Sequence, residues 1–434
     1  MKSVLSLVLF LLVAASNAAK AQDAYKQTGL PVCYLSLDPD ITISKGEYVK
    51  AQLVIEAPGD TTRAAVKIAG RGNSTWTRSK KPYNLKFENK VSLLGMDAGK
   101  KFALMANDYD PSKIRTAIGF AVGEWLGFEW PLHGRYVELV INGEHKGNYF
   151  LCERVAQATL GLDKKRGFIL EYKYMDQLDP DGVHFFTGTN NYCMEFKDPD
   201  DPDVGGGMYS YAVQAMDNLE EALTAGDCHT ARRWQALIDE DNFVKWYYWK
   251  NLLQMDECNR YYVVENYAEK TPLKMGPLWD FDWTIGMAMG NTHYDTPYLR
   301  NKLYYEWLAA DRQFMEKVAA LHLASRQMIR RNVENFYDSL GVSLRASVLL
   351  DDKIWWHAWT LDWDYELQTD RSFLLSTLHF LDRALAPYMD ETGIVPVEQE
   401  PEPARKVVRD GSVYIIRNGS VYDCRGVRHD GATM

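Results

Sequence analysis

The apolar positions of the first third of the chain alternate with polar ones. "VCYLSLD" (32–38), "YVKAQLVIEA" (48–57) and "AAVKIAG" (64–70) each place β-branched or apolar residues at every second position, with turn residues such as "PGD" between them. That period predicts strands with one face buried. "YNLKFEN" (83–89) and "KKFALMAND" (100–108) continue it. "KIRTAIGFAVGEWLG" (113–127) changes period: Ile114, Ile118, Ala121, Val122 and Trp125 share one helical face, and Gly127 closes it. "YVELVINGEHKGNYFLCERV" (136–155) then reads as a hairpin, two alternating runs around Asn142-Gly143.

The second half is helical. From about Asp217 the strand pattern is gone, and "DEDNFVKWYYWKNLLQMDE" (239–257) opens on N-cap residues and is then too continuously apolar for a surface helix. Residues 311–387 are helical again, with Trp355, Trp356, Trp359 and Trp363 spaced for packing on neighbouring helices. "DPDDPDVGGG" (198–207) lacks the glycine and glutamate of a calcium loop at the required places and reads as a solvated turn. The fold class expected is therefore α+β, with a β-rich half at about 22–200 and a helical half at about 201–395.

The two ends stand apart. Residues 1–21 have a positive start at Lys2, a short apolar run and a small-x-small site at Ala19-Lys20-Ala21, the pattern of a secretory signal. The protein is thus expected to be secreted, periplasmic or at the cell surface, with no transmembrane span. Residues 396–404, "PVEQEPEPA", read as a linker. In 405–434 the pattern RDGSVY recurs as RNGSVY, which predicts a small β-hairpin tail similar to those of some exported bacterial proteins. The formal net charge of -10 argues against a nucleic acid as partner. The six cysteines include no C-x-x-C pair, so zinc and thioredoxin-type chemistry are unsupported, and their pairing stays open.

Two polar stretches are poor core material. In "KMGPLWDFDWTIG" (274–286), Asp280 and Asp282 stand two apart among aromatics, and in extended backbone both face one way and meet one divalent cation. In "GRGNSTWTRSKKPYNLKF" (70–87), glycines, small hydroxyls and bases suit an approach of backbone amides to phosphate, with Arg71 and Asn73 at its start. It is neither a Walker A loop nor the glycine loop of ordinary kinases. Lys86, in an alternating strand, calls for an anion, and Glu153 is a candidate partner. Asp256 follows the buried helix directly, and Asn259 lies three residues on with a neutral oxygen suited to magnesium.

"GRGNSTW", "KKPYNLKF", "INGEHKGNYFLCERV" and "GPLWDFDW", in this order, resemble the CotH family of spore-coat-protein-H-like secreted kinases, over about residues 30–388. The resemblance implies an atypical protein-kinase-like bilobal fold, with ATP between a β-rich N-lobe and a helical C-lobe. It implies Asp256 as the catalytic residue, Asp280 as a ligand of Mg2+ (or Mn2+), and Lys86 as a phosphate contact. Magnesium would be shared with Asp282 or Asn259. The acceptor hydroxyl would belong to a protein or a polysaccharide. The usual H-R-D-L-x-x-x-N loop is absent. The competing expectation is an exported binding or scaffold protein on the same fold, without turnover.

Overall fold

The computed structural model describes residues 24–255, 261–287, 297–355 and 362–389, and the strands of a C-terminal sheet. The signal segment and the linker lie outside the described residues. The alternating runs form the strands they predict: β1 (Val32–Ser36), β2 (Val49–Ala57), β3 (Asp60–Gly70), β4 (Tyr83–Val91), β5 (Gly99–Met105), β6 (Gly134–Ile141) and β7 (Glu144–Glu153). They close into a barrel in the order β1-β2-β3-β4-β5-β7-β6. All its pairings are antiparallel except that of β1 with β6, which is parallel and closes the ring. One residue of every two points inward. Leu53, Val66, Leu85, Phe102, Leu139 and Leu151 belong to the resulting core, each almost fully removed from water. The β6–β7 turn uses Asn142 and Gly143 at φ of 50° and 82°, the left-handed pair that a tight hairpin requires.

Between β3 and β4 a single helical turn, α1 (Ser74–Thr77), carries Trp76 back against the barrel. Between β5 and β6 lies α2 (Arg115–Trp125). A second sheet follows, built from β8 (Phe168–Tyr172), β9 (His184–Phe186), β10 (Cys193–Asp198), β11 (Tyr261–Val264) and β12 (Lys274–Met275), in the order β12-β11-β8-β10-β9. The long helices are α3 (Gly207–Thr224), α4 (Glu240–Leu253), α5 (Arg312–Ser343), α6 (Arg345–Trp355) and α7 (Trp363–Ala384). The molecule is thus mixed α and β. Helix α3 begins ten residues before the change of character read at Asp217, because its first turns pack Tyr209 and Tyr211 onto Phe196 and Phe168 of the second sheet.

Of the four tryptophans of the last helical region, Trp355 and Trp363 are used for packing. Trp363 is buried and donates to the Ser112 carbonyl, and Trp355 donates to the Lys146 carbonyl. Trp356 and Trp359 lie outside the described residues. The C-terminal strands, β13 (Arg405–Arg409), β14 (Ser412–Arg417), β15 (Ser420–Asp423) and β16 (Arg428–His429), pair antiparallel in sequence order and form a separate compact unit. Cys33, Cys152, Cys193 and Cys228 are buried free thiols. Among the described residues no helix is long and apolar enough to cross a membrane.

One charged bridge fastens α6 to the barrel. Asp351 and Lys80 are both fully buried, with Oδ1 2.7 Å from Nζ. The same Oδ1 accepts from the Asn148 amide at 2.9 Å, and Lys113 Nζ stands 3.9 Å from Oδ2. Gly147, at φ +89°, makes room: a Cβ there would come within 2.0 Å of the carboxylate. Burial pulls the Lys80 pKa down to about 8 in spite of Asp351. Removing one partner of such a pair strands the other charge in a dry interior. Asp351→Ala should therefore cost about 3–5 kcal/mol, read as a fall in the midpoint of denaturant unfolding. A loss indistinguishable from that of a surface Asp→Ala control would contradict this reading.

Candidate active site

Helix α4 holds the acid-aromatic stretch at both of its ends. Its N-cap, Asp239, accepts from the Asn242 amide at 3.0 Å, which fixes the first turn. Asn242 then clamps Met275 through both backbone groups, at 3.1 and 2.7 Å. At the other end of the helix, Leu253 O accepts from the Ile285 amide at 2.9 Å. The segment between, 276–284, is therefore held as a loop over the helix. Its apolar residues explain the local sequence. Phe281 packs edge-on against Trp249 of α4 and Phe120 of α2. Leu278 and Phe281 lie over Gly123 and Gly119, where a Cβ would come within 2.5 and 2.0 Å of them.

The polar residues of the same loop face the end of the barrel. Asp280 and Asp282 do not alternate along extended backbone as expected. Asp280 sits at φ +70° and Asp282 lies in a turn. The carboxylates nevertheless stand close enough to interact. Burial, then Asp280, then Asp110 push the Asp282 carboxyl up to about 7, against the opposing pull of Arg71 and Arg115. A non-glycine residue in the left-handed region is held there by its surroundings.

Arg71 joins the two stretches. Its guanidinium lies over the Trp279 ring, 5.0 Å from the centroid, and Nη1 is 2.6 Å from Met105 Sδ. Burial and the neighbouring Arg154 lower its pKa, while Cys152, Tyr261 and Asp280 oppose them. The amides of Gly70 and Arg71 are bonded to Ser44 O and Pro82 O. The glycine is therefore required for packing: a Cβ on Gly70 would meet the Trp76 ring at 2.3 Å. Those two amides are not phosphate donors. Asn73 lies at the head of α1, where its Oδ1 accepts from Lys45 Nζ at 2.9 Å.

Lys86 is exposed on the outer face of β4, its ammonium 5.6 Å from the centroid of the Tyr48 ring. Arg154 donates to the hydroxyl of the same tyrosine at 3.2 Å. Lys86 thus stands at the rim of the group formed by Arg71, Arg154, Tyr261 and Asp280. The expected pairing of Lys86 with Glu153 is corrected. Glu153 shares the inner side of β7 with Tyr149 and Leu151, whereas Lys86 points away from the side of Leu85 and Phe87. The Glu153 carboxylate accepts from the His133 amide at 2.8 Å and meets its ring nitrogen at 3.1 Å. Asp256 and Asn259 lie outside the described residues. The described chain stops at Met255, behind a helix end closed by Gln254 in the left-handed conformation, and resumes at Tyr261.

Several groups here were not singled out from the sequence. Arg154 is two residues beyond Cys152 and so shares its outer face; that parity is legible once the hairpin is recognised. Asp110 binds the Arg115 amide and guanidinium at 2.8 and 2.7 Å, filling the N-terminus of α2, and Arg115 reaches Asp370 at 2.5 Å. Nothing in the order of residues announces that bridge. Lys197 lies 3.0 Å from Glu171 and over Tyr261. Burial would raise the Glu171 pKa, but Lys197 and Lys173 outweigh it and hold the carboxylate below its ordinary range.

Two mutually repelling carboxylates, one held protonation-prone by burial and by the other, form a donor pair that suits a hard divalent cation. Among the described residues no three His, Cys, Asp or Glu side chains cluster closely enough to hold a metal ion. A family model described as CotH kinase protein matches residues 68–374. A search of curated proteins finds no match.

Two outcomes test this geometry. Gly119→Ala forces the Phe281 ring to move and should cost about 1–3 kcal/mol, with a change in tryptophan fluorescence; unaltered stability and emission would contradict the packing. Asp282 holds, in the folded chain, a proton that the unfolded chain releases between about pH 4 and pH 7. Its contribution to stability therefore falls as pH rises across that window. In EDTA, Asp282→Asn should gain on the parent from pH 4 to 7 and stay level above. A gap independent of pH would remove the argument.

Proposed function

Because the chain belongs to the CotH kinase protein family, we propose that it is an exported phosphotransferase that moves the γ-phosphoryl group of ATP to a hydroxyl of a protein or surface-associated acceptor. The observation that carries this reading is the meeting of Arg71 with Trp279 and the Asp280–Asp282 pair. It sets a cation against two carboxylates at the junction of a β-barrel and a helical region. That juxtaposition supports a kinase-like bilobal arrangement, with the barrel as N-lobe and the helices as C-lobe. The secretory pattern of residues 1–21 supports export.

Phosphoryl transfer requires little covalent chemistry from the protein. Positioning and charge stabilisation supply most of the rate. Asp280, with Asp282 or Asn259, would hold magnesium, which neutralises phosphate charge when bound. Arg71 and Lys86 would take the phosphate oxygens, with Arg154 beside them. Asn73, on the loop between β3 and β4, would add a polar contact to the nucleotide. Glu153 acts only at a distance, by fixing His133 and the end of β7. Asp256 would accept the acceptor's proton as its oxygen bonds to the γ-phosphorus and the bond to the β-phosphate oxygen breaks, releasing ADP. The second reading, an exported binding or scaffold protein on the same fold without turnover, is separated from this one by the assay below.

Incubation with γ-labelled ATP, magnesium and a generic protein acceptor tests the proposal. Label should transfer to the acceptor or to the chain itself. Asp256→Asn should reduce transfer by about 10²-fold or more and leave nucleotide binding largely intact, whereas Asp280→Ala should weaken magnesium-dependent binding itself. Equal transfer by all three proteins would overturn the assignment. Release of inorganic phosphate with no labelled acceptor would show a hydrolase.

A further inference from the structure

The outer face of the barrel carries a line of four lysines from four consecutive strands. Lys50 of β2 is directly opposite Lys67 of β3, Lys67 is opposite Lys86 of β4, and Lys86 is opposite Lys101 of β5. Their sequence neighbours Ala51, Val66, Leu85 and Phe102 point into the core, so all four lysines point out. Lys50, Lys67 and Lys86 are exposed and Lys101 is half-buried. Opposed like charges on one face destabilise a sheet. Among the described residues Lys50, Lys67 and Lys86 form no salt bridge, and Lys101 reaches only Asp198, at 3.9 Å. That carboxylate already accepts from the Gln157 amide at 2.9 Å. In a chain whose net charge is -10, four adjacent cations with so little compensation mark a place where an anion is received.

We propose that this line of lysines docks an acidic segment of a polypeptide, and that this segment belongs to the acceptor. The second half of that statement rests on the phosphotransferase reading; the first does not. Adjacent strands lie about 4.8 Å apart, so the line runs for about 14 Å. An extended peptide advances about 3.4 Å per residue, so about four residues span it. The line crosses a convex wall, which a flexible peptide follows and a stiff nucleic-acid duplex does not. An acidic polysaccharide fits less well. The flanking positions on the same face, Gln52, Ala65, Asn84, Ala103 and the exposed Glu88, offer no ring on which a sugar could stack, and Tyr48 has the Lys86 ammonium over it; Glu88 is a single carboxylate beside four lysines. Lys86, the third lysine of this line, is also the proposed phosphate contact, with Lys101 beyond it. A segment lying on Lys50 and Lys67 is thereby led toward the transferred group, and its own negative charge draws it there.

The test uses the full chain, without nucleotide, and fluorescein-labelled hexaglutamate as the probe in an anisotropy titration. The parent should bind it, more weakly as salt rises. The double variant K50E/K67E, whose changes lie outside the proposed catalytic groups, should bind it at least about tenfold more weakly while binding MgATP as the parent does. Equal affinity in both proteins, or no binding to the parent, would overturn the proposal. So would binding of polygalacturonate, lost in the variant, with none of hexaglutamate. If the double variant is unfolded by circular dichroism, K50Q/K67Q is read in its place, with a smaller loss expected. A parent that binds hexaglutamate through these lysines but shows no affinity for MgATP would keep the docking face and end the phosphotransferase reading.

Discussion

The arrangement depends on how a desolvated guanidinium is accommodated. Arg71 leaves the end of β3 and lies against Trp279, with Arg154 near enough to lower its pKa. Such a cation is held only where the low dielectric also strengthens its attraction to anions. The exposed Asp280 provides one, and Asp282 beside it is held up to about 7 by burial and by Asp280, with the same cation pulling the other way. The barrel and the loop over α4 are thereby tied by an electrostatic condition as well as by packing.

The rest of the fold serves to make that condition rigid. Helix α4 is apolar on almost every side, so it is buried, and from that fixed position Asn242 and Leu253 set both ends of the loop. Gly119 and Gly123 let the loop approach α2 closely enough for Phe281 and Leu278 to seat. On the other side, Asp351 and Lys80 fasten α6 to the barrel, and Arg115 spans Asp110 and Asp370. Buried polar groups of this kind tolerate little displacement, which suits a site whose chemistry is mainly positioning.

Much of the secondary structure was legible because it follows from local period and turn chemistry. The hairpin around Asn142-Gly143, the helix closed by Gly127 and the helix capped at Asp239 form as their patterns direct. The closure of seven strands into a barrel was not legible, since it requires β1 to pair with β6 across about a hundred residues. The same limit explains the false pairing of Lys86 with Glu153. Alternation shows that each residue faces one side of its strand, but only the register between strands shows that the two sides differ. Asp280 and Asp282 stand near enough to interact through a turn with a left-handed residue, where an extended run was expected. The line of lysines appears nowhere as a charge run, because its members are separated by whole strands.

Calorimetric titration of MgATP into the chain and into Arg71→Ala tests the central claim most directly. The account predicts a binding heat for the parent and an affinity lower by about tenfold or more in the variant, the worth of a charge-assisted contact to phosphate. No heat with the parent, or equal affinities in the two proteins, would contradict it.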